Sequence, residues 1–299
     1  MTANDTRTED RYPTRLARAA EPIVRGEPAV WPSAGGGPPD AALAAHEARG
    51  YSVVEDLLGP SEVEEFLREV RRLTEDRALR ADERVVVEKE SAEVRSIFAV
   101  HELSPAIGDL IRDPRVAGRA RLLLGSEVYV HQSRVNYMPG FTGTGFYWHS
   151  DFETWHAEDG MPLPRAVSMS LALTDNLPFN GGLLLIPGSH RTFVPCLGAT
   201  PADHYRESLR DQRVGVPSRK DITRLAEAHG IEQFTGTAGS ALWFDANTMH
   251  GSGNNITPFP RSNIFVVFNS VENALVEPFA APAPRPSFIA SRDFTPVPH

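Results

Sequence analysis

From Glu127 onward the chain is a succession of short β-prone runs separated by Gly, Pro and Asn turns, and no other feature constrains its fold as much. Runs of this length and spacing specify an all-β sandwich or barrel. Val128–Asn136 comes first. On strand parity, Val128, Val130, Gln132, Arg134 and Asn136 share one face, which passes from apolar to polar along the strand. The polar end is expected to line the mouth of a pocket rather than to form an exposed strand end. Ala166–Leu173, Leu183–Ile186, Gly239–Phe244 and Asn263–Phe268 continue the series, and Arg261 lies on the parity of Asn263, Phe265 and Val267. Residues 200–232 are charged and partly helical (Asp203–Arg210, Asp221–His229), an insertion between strands with no chemistry that can be assigned.

The part before Glu127 reads as scaffold. Residues 1–40, rich in charge, proline and glycine, form an irregular N-terminal arm that either drapes over the body or hangs loosely. Residues 41–299 form one domain. Asp40 is placed to cap a helix over Ala41–Ala48 that Gly50 stops, and Ser61-x-x-Glu64 has capping-box spacing for a helix from about Pro60 to Thr74. Asp113-Pro114 starts a third, which Gly125 ends. The Pro-rich tail from Pro278 carries Arg285, Phe288, Arg292 and Phe294, enough to dock on the body.

Composition narrows the function. A formal charge of -9 with no basic stripe argues against a nucleic-acid partner. Cys196 is the single cysteine, which rules out an intrachain disulfide and cysteine-based metal sites. No apolar run approaches the length of a membrane span, and the first residues lack a signal peptide's apolar segment, so a cytoplasmic location is expected.

The densest chemistry lies in Phe146–Pro162, which holds two imidazoles, four carboxylates and five aromatic rings. On strand parity His149 and Asp151 point the same way, and His250 stands about 100 residues later at a strand end. Alone, an H-x-D is usually a surface or helix-cap pair. Together, His149, Asp151 and His250 are candidates for a two-histidine, one-carboxylate facial triad, which leaves three positions open on octahedral iron(II). Those positions suit a bidentate 2-oxo acid and dioxygen, and Arg261 is placed to clamp the far carboxylate of such a cosubstrate. His156 has the wrong parity, His46 and His101 precede the β-rich region, and His190 beside a turn is read as a local hydrogen-bonding group.

The order H-x-D…H…R resembles the iron(II)/2-oxoglutarate-dependent dioxygenases of the phytanoyl-CoA hydroxylase type, supported by Asn180-Gly181-Gly182…Ile186-Pro187-Gly188-Ser189-His190 and Met249-His250-Gly251-Ser252. Phe146–Pro162 is similar to the long signature of ectoine hydroxylases, as are Asp10–Arg15 and His131–Arg134, so the resemblance runs over nearly the whole chain. It implies a mainly β protein with flanking helices and a jelly-roll (double-stranded β-helix, cupin-like) core. It also implies Fe(II) with 2-oxoglutarate and O2 as cosubstrates, hydroxylation of ectoine to 5-hydroxyectoine with release of succinate and CO2, and a homodimer. By position it makes His149, Asp151 and His250 the iron ligands. It gives Arg261, Asn136, Phe146 and Ser252 to 2-oxoglutarate, and Gln132, Trp155, Phe244, Asn263, Phe265 and Arg285 to ectoine. Met138 stands where some relatives carry a lysine near 2-oxoglutarate, which implies heavier dependence on Arg261.

The residue chemistry is consistent with such a substrate. Ectoine combines a delocalised cationic ring with a carboxylate, and an aromatic face attracts a cation by roughly 0.5–2 kcal/mol. Trp155 sits among charged residues and is the better candidate, whereas Phe265 also suits core packing. Arg285 can pair with the carboxylate, although tail arginines are mostly solvated surface. Three alternatives stay open: an oxygenase for another small zwitterion such as proline, a non-catalytic metal- or ligand-binding barrel, and, less attractively, a zinc hydrolase.

Overall fold

The computed structural model describes residues 9–33, 41–87, 93–209 and 212–299. Among them the strands are β1 (Ile23–Val24), β2 (Tyr51–Val54), β3 (Val85–Val87), β4 (Val94–Phe98), β5 (Val128–Met138), β6 (Phe146–His149), β7 (Ala166–Ala172), β8 (Leu183–Leu185), β9 (Thr192–Phe193), β10 (Glu232–Gln233), β11 (Ala241–Asp245), β12 (His250–Ser252) and β13 (Arg261–Ser270). Seven form one sheet in the order β2-β11-β7-β13-β5-β4-β3, and four form a second in the order β10-β8-β12-β6. The ladders within both sheets are antiparallel.

Side-chain alternation on β13, at the middle of the large sheet, divides the core. Ile264, Val266 and Phe268 face outward, where Val63, Phe66, Val70, Ile107, Ile111 and Leu123 of the flanking helices cover them. Phe265 faces inward and packs with Phe244 and Leu242 of the same sheet against Leu183 and Leu185 of the small one. Two antiparallel sheets closed face to face, with helices on the outer side of the larger, make the expected jelly roll.

The helices lie near their expected places. The first spans Ala41–Arg49 and Gly50 ends it at φ +78°, while its expected cap Asp40 falls outside the described residues. In the second, Pro60–Glu75, the cap is not at Ser61-x-x-Glu64 but two residues earlier: the Gly59 N–H donates to Glu62 Oε2 at 2.8 Å. Pro60 then takes the first helical position, where its missing N–H removes no bond. Asp113 accepts from Arg115 N at 2.8 Å, as a cap should. The tail docks through Phe294, edge-on to Tyr129 at 5.2 Å, and through fully buried Ile289.

Two strand-parity expectations fail, each for a local reason. On β5, Gln132 pairs with Val267 but Val130 pairs with Phe268, so His131 is an extra residue in a β-bulge. Val128 and Val130 therefore turn toward the helices, and only the polar half of the expected face looks inward. After Phe146–His149 the strand stops; Asp151 opens a helical turn (Asp151–Thr154) that continues over Trp155–Asp159. Gly160 closes that turn at φ +80°, where a Cβ would lie 2.1 Å from the Val276 carbonyl oxygen.

The described part of the arm is irregular in backbone but not loose. Tyr12 is 2% exposed and packs edge-on to Phe152 at 5.2 Å, and Ile23 pairs with Phe193. An aromatic ring buried against Phe152 and Phe193 holds the described part of the arm on the body, the first of its two expected courses.

Candidate metal centre and its cleft

Strands β6 and β12 are neighbours, and their register sets His149 opposite His250 with ring centroids 4.2 Å apart. Each ring is oriented by its own backbone: the His149 Nδ1 lies 2.8 Å from the Tyr147 carbonyl oxygen, and the His250 Nδ1 lies 3.0 Å from that of Thr248. A carbonyl only accepts, so both Nδ1 atoms carry the hydrogen and both Nε2 lone pairs are left to bind. The turn after β6 brings Asp151 Oδ1 to 3.6 Å from His149 Nε2 and Oδ2 to 3.9 Å from His250 Nε2. Among the described residues this is the one group of three His, Cys, Asp or Glu side chains whose ligand atoms converge, all lying within 4.8 Å of one another.

The electrostatics suit a divalent cation. Burial would raise the Asp151 carboxyl, but His250, His149 and Arg134 outweigh it and hold the group well below the usual carboxylate range. Burial, and then the neighbouring His149, push His250 down to about 4, so it is neutral at pH 7 and able to ligate. Two imidazoles and one carboxylate on one side of an ion are the donor set of non-haem iron(II) oxygenases.

The three ligands line a cleft that opens to solvent. Gln132, Asn136, Met138, Phe146, Trp155, Ser252, Arg261, Phe265 and Arg285 line it as well. Arg261 is 3% exposed; its Nη1 is 3.4 Å from Asn263 Oδ1, its Nη2 is 3.9 Å from Met138 Sδ, and its Nε has no partner. No carboxylate among the described residues pairs with it. A buried guanidinium without a counter-ion is costly, so the cleft is built to take an anion there.

Two residues assigned to ectoine do not reach the cleft. Phe244, 1% exposed, sits behind His250 with ring centroids 4.9 Å apart. Asn263, also 1% exposed, donates to Ser170 Oγ at 3.2 Å and backs Arg261. Arg285 is not solvated tail: it is 9% exposed, and its Nε and Nη2 donate to the two oxygens of Asp159 at 2.7 and 2.6 Å. His156 is no ligand, its nitrogens lying 2.8 Å from the Met161 carbonyl oxygen and 2.9 Å from Asp10 Oδ1. His190 Nε2, 3.1 Å from the Glu47 carbonyl oxygen, makes a local bond.

The sequence placed Arg134 on the pocket-lining face of β5 but gave it no ligand to hold. It enters the cleft four residues before Met138 on the same strand face, its guanidinium 4.9 Å over the ring of Phe265. Its parity with Gln132 and Asn136 was the available signal. Arg95 of β4 and Ser208, Leu209 and Gln212 of the 200–232 insertion also line the cleft, and nothing in their local sequence marks them.

The phytanoyl-CoA dioxygenase family model matches residues 46–263, which include all three ligands and Arg261. The chain belongs to that family. It is 67% identical over 288 residues to the ectoine dioxygenase of Nocardia farcinica, covering 96% of this chain and 95% of that protein. It is similar to the crystal structure of EctD from S. alaskensis with 2-oxoglutarate and 5-hydroxyectoine, at TM-score 0.84 and 45% identity over 95% of each chain. The structure of EctD from S. alaskensis with bound Fe superposes at TM-score 0.84 and 44% identity over 96% of each chain. This member of the family thus shares nearly its whole length with a protein whose crystal structures hold iron, or 2-oxoglutarate and 5-hydroxyectoine.

Proposed function

We propose that the protein is an iron(II)- and 2-oxoglutarate-dependent dioxygenase that hydroxylates ectoine to 5-hydroxyectoine, as in compatible-solute biosynthesis under osmotic and heat stress. The observation that carries this reading is one cleft holding both a His149–Asp151–His250 cluster and the buried, unpaired Arg261. The similarity to ectoine dioxygenases over nearly the full length supports the substrate. Iron bound by the three ligands supplies dioxygen activation coupled to oxidative decarboxylation of the 2-oxo acid.

The chain's own residues bind and orient. Arg261 receives the distal carboxylate of 2-oxoglutarate, and its charge is restored to a paired state by doing so. Asn136, fixed by a 2.9 Å bond from Ser96, and Ser252, which accepts from Phe146 N at 3.0 Å, frame that end. Trp155 and Phe265 offer aromatic faces to the cationic ring of ectoine. Gln132 is pinned by a 2.7 Å bond to the Ile289 carbonyl oxygen, and Arg285, held by Asp159, is the cation for the substrate carboxylate. Phe244 supports His250 from behind rather than touching substrate.

Purified protein with iron(II), ascorbate, 2-oxoglutarate and ectoine is expected to form 5-hydroxyectoine and succinate in equal amounts, read by NMR. Faster succinate release with proline than with ectoine would reassign the substrate. No substrate-dependent release from iron-loaded protein would make the fold a binding module. The family resemblance supports a homodimer, which light scattering tests, and the composition supports a cytoplasmic location without nucleic-acid partners. Among the described residues no helix is long and apolar enough to cross a membrane.

A further inference from the structure

The two turns that deliver the metal ligands are each gripped by a buried arginine from the N-terminal arm. Resting on the metal-centre reading above, we propose that Arg15 and Arg25 are positioning residues for that centre. Arg15 fixes the turn carrying Asp151, and Arg25 fixes the turn presenting His250.

The Arg15 side chain is 1% exposed and grips Glu153, two residues after Asp151, through Nε at 2.7 Å and Nη2 at 3.0 Å; Nη2 also reaches Glu158 at 3.0 Å. Thr14 Oγ1 donates to the same Glu153 oxygen at 2.6 Å. The grip is held in an unfavourable backbone, with Arg15 at φ +56°, a region a non-glycine residue seldom keeps without a reason. Gly215, at φ +74°, lies flat against the pair: a Cβ there would stand 2.3 Å from Arg15 Nη2 and 2.6 Å from Glu153 Oε2. The 200–232 insertion thus closes over the clamp that the arm makes.

Arg25 works on the other turn. Its side chain is also 1% exposed; Nη1 donates to Asp245 Oδ1 at 2.7 Å and Nη2 to the Pro164 carbonyl oxygen at 3.0 Å. Asp245 in turn accepts from Asn247 N at 2.8 Å, shaping the turn that runs into His250. The two turns are also bonded to each other, Phe152 N to the Ala246 oxygen at 2.8 Å and Ser150 Oγ to Asn247 Oδ1 at 3.0 Å. Clamping both therefore fixes the separation of Asp151 from the two histidines. The Arg15 pair ends two residues from Asp151, and the Arg25 pair ends on the turn that leads into His250.

The test titrates the full-length metal-free protein with cobalt(II), a surrogate for iron(II), reading tryptophan fluorescence and the cobalt visible spectrum. Arg15→Lys and Arg25→Lys keep the charge but lose the planar fork. Each is expected to bind cobalt 10–100-fold more weakly, the usual effect of removing a supporting partner around a metal site, and to show an altered cobalt spectrum. KM for 2-oxoglutarate at saturating metal should stay within about twofold of wild type, since no contact to Arg261 changes. If a lysine variant does not fold, Arg15→Met with Glu153→Gln removes the buried charge and the clamp together and is expected to show the same loss. Wild-type cobalt affinity and spectrum in the folded variants would overturn the proposal. Failure of the metal-centre reading looks different: wild type would bind no cobalt, or His149→Ala would bind it unchanged.

Discussion

Replacing Arg261 with Met should move stability and binding in opposite directions. In the ligand-free protein burial, and then the charges of Arg134 and Arg95, push the Arg261 guanidinium down to about 10, well below the ordinary arginine value. At about 1.4 kcal/mol per pH unit, the folded protein carries a penalty of about 3 kcal/mol for keeping this cation. The sign follows from its being a base with a lowered value. The penalty is fully present at neutral pH and is relieved only as pH rises from about 10 toward the ordinary arginine value. Methionine keeps much of the apolar stem and removes the charge, so the ligand-free variant should be more stable. With about 2–4 °C per kcal/mol for a large domain, and part of the gain offset by lost packing, a rise in Tm on the order of 5 °C is expected.

Binding should collapse. Removing one partner of a buried charge pair costs about 2–5 kcal/mol, which is about thirty- to several-thousand-fold in 2-oxoglutarate affinity. Thermal unfolding of metal-loaded protein with and without 2-oxoglutarate reads both effects. Wild type should gain stability with ligand concentration, and the variant should start higher and gain nothing. A variant that is less stable without ligand, or that gains as much from 2-oxoglutarate as wild type, would refute the assignment of Arg261 as an unpaired anion receptor.

Met138→Lys brings an ammonium to the place of a sulfur 3.9 Å from Arg261 Nη2. The ligand-free protein should lose several degrees of Tm to like-charge repulsion, and its 2-oxoglutarate-induced shift should grow because a dianion relieves that repulsion. Gly181→Ala should cost about 1–3 kcal/mol, measured by urea unfolding, since Gly181 sits at φ +76° with its would-be Cβ 2.4 Å from Met138 Sδ. Trp155→Phe should raise KM for ectoine about 2–30-fold, the loss of up to about 2 kcal/mol of cation–π attraction, and leave KM for 2-oxoglutarate unchanged. Acid unfolding should depend on the buried acids of the Trp155 turn. Burial would raise Glu158 and Asp159, but His204, Arg285 and Arg15 lower the first, and Arg285 and His131 lower the second. Their stabilisation is complete above their ordinary values of 4.5 and 3.8 and is lost as pH falls below them. An Arg285→Met variant should therefore show a flatter acid transition by circular dichroism.

The sequence made a β sandwich or barrel, the three ligands and Arg261 legible because strands and their turns are written locally, and the family resemblance narrowed the barrel to a jelly roll. Alternating hydrophobicity placed β5, β7, β11 and β13 within a few residues, and His250 was found as a histidine at a strand end. Three things stayed hidden, all non-local. Arg15 and Arg25 look like ordinary charges of a polar arm until Glu153, Glu158 and Asp245 are folded onto them. Arg285 looks like tail until Asp159 is seen beneath it. Phe244 and Asn263 share the inward face with cleft residues, and only depth separates them. His149 and Asp151 were paired for a partly wrong reason: the strand that was to align them ends at His149, and a helical turn does the aligning.

The bulge at His131 is where fold and cleft depend on the same residue. Upstream of it β5 gives Val128 and Val130 to the helix-side core, and downstream it gives Gln132, Arg134, Asn136 and Met138 to the cleft. Without the extra residue one of those sets would face the wrong side, because a one-residue slip inverts every side chain of a strand. At about 3.4 Å per residue, the four inward positions span about 20 Å, enough to run the length of the cleft. Gln132 is tied to the tail at Ile289, and Met138 abuts Arg261 at the opposite end. On the proposed reading, one strand thus carries the substrate end and the cosubstrate end in fixed relation. Arg134, on the same face as Met138, and Arg95 on the neighbouring strand add cations to the cleft beside Arg261.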